Sequence, residues 1–145
     1  EEARRARGAR RRRRLMPDPP AWAPDAAAVA AILRARTVDD VGAELGEFTE
    51  NTRPTAATVA ELIAQAVGDV EDRVGTSLPD QFHEAARSCA ALRAAQLVEM
   101  SYQPQSDEPA SAYTSARLTY EESVARLERN VQWDALAARG ADADA

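Results

Sequence analysis

Residues 55–75 set the fold class of this chain. Val59, Leu62, Ile63, Ala66, Val67, Val70 and Val74 recur at three- and four-residue steps, while Glu61, Gln65, Asp69 and Asp72 sit away from them. That rhythm paints one face of a long α-helix. Both ends carry their own signals. Pro54 holds Arg53 out of the helical region, and the Thr55 hydroxyl is suited to capping the orphan amides of the first turn. Gly75 supplies the left-handed residue that commonly closes a helix.

The remaining chain reads as partners for that helix. Asp25 is placed to cap a short helix over residues 26–34, with Val29, Ile32 and Leu33 as its apolar stripe. Residues 35–53 are ambiguous. Thr37, Val38, Asp39 and Asp40 suit a helical turn, but Gly42 and Gly46 argue for a loop with a small hairpin involving Val41, Leu45 and Phe48. Phe48 is expected to anchor it on the core. Ser77, Leu78 and Pro79 read as a turn and a fresh helix start, with the helix running to about Ser101. Phe82, Ala85, Ala86, Cys89, Leu92, Leu97 and Met100 define its buried side. Ala90, Ala91, Ala94 and Ala95 keep the rest small enough for two neighbours to approach, which makes it the central helix. Residues 103–109 break the pattern with two prolines. A third main helix follows from about Ala110, with Tyr113, Tyr120, Val124, Leu127 and Val131 on one face and Trp133 off that stripe.

The expected fold is therefore all-α: a bundle of three main helices, a short N-terminal helix, a long irregular or hairpin-like loop, and extended termini. Residues 1–24 form an Arg-rich and Pro-rich arm, 25–136 the helical domain, and 137–145 an acidic tail that orders weakly unless a partner holds it.

Charge divides along the same lines. Residues 1–14 carry eight Arg against two Glu, a balance of +6, while residues 15–145 carry ten Arg against twenty-two acids, a balance of −12. All eighteen basic residues are arginine, which reads first as the codon signature of a GC-rich genome. An acidic body is repelled by phosphates, so duplex recognition by the folded part is not expected. A single cysteine excludes an internal disulfide and fits a reducing compartment. No apolar run approaches the ~20 residues of a membrane span, and the basic start lacks the apolar stretch of a secretory signal.

Reaction chemistry has little to stand on. His83 and Cys89 lie six apart on one predicted helix, a turn of roughly 600° that puts them on different faces. Cys89 reads as a small buried residue and His83 as an exposed or hydrogen-bonded one. Adjacent acids at Asp39/Asp40, Glu71/Asp72 and Glu121/Glu122 do not face each other and read as solvated helix surface. Phosphate-cradling, dinucleotide, zinc and nucleophile-elbow motifs are missing. No enzyme activity, cofactor or metal is expected.

The Arg tract has three readings: phosphate contact through Arg10, Arg11, Arg12, Arg13 and Arg14, contact with an acidic partner protein, or a leader translated upstream of Met16. Trp22 and Trp133 each sit outside a helical stripe, as satellites of the core or as anchors into a neighbour. For Trp22 the neighbour is the expectation; for Trp133 both stand. Thr52 and Arg53 either organise the helix start or meet another subunit.

One resemblance gathers these features. The run Phe48-Thr49-Glu50-Asn51-Thr52-Arg53-Pro54-Thr55 opening a long amphipathic helix, followed by ARSCAALRAAQLVEMS at residues 86–101 and the Tyr113, Tyr120, Leu127 helix, resembles the head-to-tail adaptor (connector) proteins of long-tailed bacteriophages. The likeness covers about residues 25–132. It implies a structural virion protein assembled in the bacterial host cytoplasm. Such a protein forms a dodecameric ring between the portal protein and a stopper or other neck component, around the channel that carries packaged DNA. On that reading Trp22, Arg53, Val131, Trp133 and Leu136 are interface residues, and residues 131–145 and the Pro-rich arm reach other chains. The loop 36–53 then faces a ring neighbour or the next ring, with Arg53, Arg87, Arg93 and Arg117 available to pair with acids across repeated interfaces. The alternative is a small nucleic-acid-binding or packaging factor using residues 4–14. It would need a short second helix after a tight turn, whereas these helices are long and the body is acidic.

Overall fold

The computed structural model describes residues 18–102 and 111–143, and the chain folds as an all-α bundle. Helix α1 spans Ala26–Ile32, α2 Ala56–Val74, α3 His83–Tyr102 and α4 Ser111–Ala143; short 3-10 turns cover Arg34–Arg36 and Asp80–Phe82. The start of the Arg-rich arm, Arg10–Arg14 included, the proline-punctuated break at 103–109, the side chain of Tyr113 and residues 144–145 lie outside the described residues.

Local signals start and stop these helices. The Asp25 carboxylate accepts from the Ala28 amide at 2.9 Å, and the Thr55 hydroxyl from the Thr58 amide at 3.3 Å. At the far end of α2, Gly75 adopts φ +88° and returns its amide to the Glu71 carbonyl, which ends the helix. Helix α1 stops at Ile32 rather than 34, because the chain tightens there into the 3-10 turn, and Ile32 is left 45% exposed.

Helix α3 sits in the middle and touches α1, α2 and α4. Ala86, Ala90 and Ala94 are fully buried along it, joined by Cys89, Leu97 and Val98. Methyl-sized side chains let neighbouring helices come close, so dispersion contacts replace the bulk that larger residues would supply. Into this core α2 sends Val59, Ile63, Ala66, Val67 and Val70, and α4 sends Tyr120, Val124 and Leu127. Burial extends further round α3 than one stripe: Ala91, Ala95, Gln96 and Glu99 are covered too, while Ala85 and Met100, expected inside, are exposed. An inner helix contacted from three sides has no single wet face.

Ion pairs lock the register at the bundle surface. Arg93 on α3 donates through Nε to Asp69 on α2 at 2.8 Å and through Nη1 to Gln96 at 2.8 Å, with its guanidinium 5.5 Å from the Tyr120 ring centroid. Arg73 on α2 meets Glu128 at 2.8 Å and Glu121 at 3.6 Å on α4. Arg93 is thus committed inside the chain and is withdrawn from the set of inter-subunit candidates.

Candidate interaction surfaces

Two segments protrude from the bundle with apolar side chains on them. The first is the end of α4. Its core stripe closes with Leu127 and the half-buried Val131; positions that would continue it are Asp134, Ala135 and Ala138, too polar or too short to reach the body. Every residue from 132 to 143 is exposed, Trp133 at 71% and Leu136 at 56%. Asp134 still accepts from Gln81 Nε2 at 2.9 Å; beyond it nine residues run on as helix for about 14 Å. The segment expected to be a weakly ordered, extended tail is therefore helical through Ala143. A helix already nucleated propagates easily through Ala, Leu and Arg.

The second is the loop between α1 and α2, which is built rather than slack. Arg36 and Glu99 form a two-pronged pair across 2.8 and 2.9 Å, joining the loop to the central helix. Thr37, fully buried, donates to the Arg34 carbonyl at 2.6 Å and accepts from the Gly46 amide at 2.9 Å. Asp39 caps the tip by accepting from the amides of Val41 and Ala43. Gly42 turns the chain there at φ +84°, a conformation closed to most L-residues. A single antiparallel bridge, Val38 to Glu44, stands where a small hairpin is expected. Phe48 is buried as the core anchor, whereas Val41 and Leu45 face solvent at 86% and 43% exposure.

Thr52 carries the helix start. It is fully buried, accepts from the Thr49 amide at 2.9 Å, and lies 3.0 and 2.8 Å from the Thr49 and Pro54 carbonyls it can donate to. The Arg53 peptide amide reaches the Val38 carbonyl at 3.2 Å, and its exposed guanidinium lies 3.9 Å from Asp40. The Arg53–Pro54 bond is cis.

Trp22 corrects the expectation of an anchor into a neighbour: it is 2% exposed and belongs to the chain's own core. The Ala23 amide bonds back to the Pro20 carbonyl, and Arg87 Nη2 reaches the Ala21 carbonyl at 3.4 Å, folding the lead-in onto the bundle. An alanine-rich core leaves volume that a large ring can fill. Nothing periodic in the sequence around Trp22 announces this.

His83 Nε2 lies 3.1 Å from the Leu78 carbonyl and 3.6 Å from Asp80, facing the turn before its own helix. Cys89 lies in the core, where burial pushes its thiol up against a smaller lowering by Arg126. Among the described residues no three His, Cys, Asp or Glu gather as metal ligands would, and no helix is long and apolar enough to cross a membrane. Comparison of the chain with protein-family models, curated proteins and solved structures gives no match.

Proposed function

We propose that this protein is a structural head-to-tail adaptor of a long-tailed phage, a ring-forming link between the portal and the next neck or tail component. The observation that carries this reading is the free end of α4, where Trp133 and Leu136 stand exposed on a helix that has left its own core. Exposed tryptophan on an ordered helix is the composition of an interface centre and is costly to leave in water. The fixed loop, with Val41 and Leu45 outward, offers a second contact for a ring neighbour or an adjoining ring. Two apolar protrusions on one small body suit a molecule held between others.

In this reading residues 132–145 dock on the portal and the bundle supplies spacing and orientation. The adaptor makes and breaks no covalent bond. The test begins with gene order: a portal and a major capsid gene upstream and tail genes downstream identify the partner. Co-expression with that portal should then yield a ring-shaped complex by electron microscopy. Removal of residues 132–145 should abolish docking while the helical circular-dichroism signal of the bundle persists. Docking that survives the deletion would remove the assignment of this segment.

A further inference from the structure

The end of α4 carries an apolar face that points away from its own core. Tyr120, Val124, Leu127 and Val131 share the side of the helix that packs on the bundle. At about 100° per residue, Trp133, Leu136, Ala137 and Gly140 gather on the opposite side. All four are exposed, and a Cβ added at Gly140 would meet nothing within 4 Å. Size is ordered along this face: two large side chains come first and two small positions follow.

That order is self-complementary in one arrangement only. A parallel neighbour sets each residue against its own copy, with tryptophan on tryptophan. It also stacks Arg126 and Arg129, exposed on the same face one and two turns earlier, against their like charges. An antiparallel neighbour, related by a two-fold axis between Leu136 and Ala137, places Trp133 over Gly140 and Leu136 over Ala137. Large then meets small at every level. The same register sets Arg129 beside the last turn of the opposing helix, where backbone carbonyls without helical partners carry partial negative charge.

We propose that two copies of this chain pair antiparallel through the ends of their α4 helices, with the two bundles on the outer sides. The contact is isologous, so it closes at two copies. Residues 130–143 of each chain overlap, a length of about 21 Å. Such a contact buries roughly 800–1,000 Å² in total, short of the ~1,200 Å² at which stable complexes begin. The pair is therefore weak and reversible, half-formed near about 0.1 mM. It covers the face that the adaptor reading gives to the portal, so the two contacts exclude each other. The inference stands without that reading: it concerns the protein alone in solution, and its failure leaves portal docking untouched.

Sedimentation equilibrium of the full chain should show mainly monomer at about 5 μM and mainly dimer at about 1 mM. Trp133→Ala should weaken pairing at least about tenfold while the helical circular-dichroism signal persists. Gly140→Leu decides the register. Leucine there fills the space that receives Trp133, so pairing should weaken about tenfold, whereas a merely adhesive surface would pair more tightly. Oxidation should join two chains readily in Ala137→Cys, close to the axis, and poorly in Gly140→Cys, whose sulfurs stand about 10 Å apart along the helices. Cys89 is buried and does not compete. Four results each overturn the proposal: a monomer at every concentration, a dimer indifferent to Trp133→Ala, tighter pairing in Gly140→Leu, or cross-linking as ready through Gly140→Cys as through Ala137→Cys.

Discussion

Arg36 and Glu99, sixty-three residues apart in sequence, face each other through two parallel hydrogen bonds of 2.8 and 2.9 Å, with Glu99 only 11% exposed. This pair ties the loop between α1 and α2 to the central helix. Replacing Glu99 by Ala removes both of these hydrogen bonds from a partly buried guanidinium. The cost expected is about 2–4 kcal/mol, below that of a fully buried pair because Arg36 keeps some solvent. Urea unfolding measures the loss. Hydrogen exchange should show residues 37–46 opening well before α3 does, and uniform loss across the bundle would deny the pair its anchoring role.

The two tryptophans should separate in fluorescence. Trp22 is enclosed and Trp133 open, so acrylamide should quench one component readily and the other hardly at all. Trp133→Phe should remove the accessible component and change stability by no more than about 0.5 kcal/mol. Trp22→Ala should cost about 3–5 kcal/mol through the cavity it leaves. Equal quenching of both rings would contradict the placement of Trp22.

Alkaline stability should report Cys89. Burial raises its thiol above the ordinary value, so the folded chain holds that proton longer than the unfolded chain does. Its contribution is fully present at neutral pH and is lost as pH climbs above about 8.5, where the unfolded thiol begins to ionise. Cys89→Ala should be less stable at pH 7 yet flatter between about pH 8.5 and 10. Denaturant midpoints across that range decide it. Tyr120, also raised chiefly by burial, adds its own decline only above about pH 10.

Helix α4 should tolerate truncation. Ending the chain at Val131 removes exposed residues and one hydrogen bond between body and helix end, Gln81 to Asp134. A loss of about 0.5–1.5 kcal/mol is expected from calorimetry or urea titration. A larger loss would mean that the end of α4 supports the bundle and is no spare surface.

Duplex DNA should bind weakly and only through the arm. Neutralising Arg10–Arg14 should bring affinity to background and flatten its salt dependence, since residues 15–145 carry a balance of −12. Salt-sensitive binding that survives this change would favour the nucleic-acid reading.

The helices were open to reading because their information is local. Thr55 and Gly75 mark the ends of α2, and its apolar residues repeat at the helical step. Phe48 as the loop's anchor and Cys89 as core followed from isolation of an apolar group in a polar stretch and from helix phase. What stayed hidden depends on distant partners. Glu99 looks like surface until Arg36 meets it, and Arg93 looks free until Asp69, Gln96 and Tyr120 surround it. Trp22 sits among prolines with no period to reveal a direction. Of the candidate surface, the exposed Trp133 was legible as a residue off its stripe. The continuation of the helix beneath it was not, since Ala-Asp runs are silent about whether a preceding helix carries on.

Helix α4 is thirty-three residues in one piece, about 50 Å from end to end; Tyr120, Val124 and Leu127 seat it in the core, and every residue from 132 to 143 is exposed. It therefore behaves as a lever with a fixed fulcrum. Whatever seizes the turn around Leu136 sets the tilt of the entire body, and a few degrees of freedom at that grip become several ångströms of travel at the opposite side.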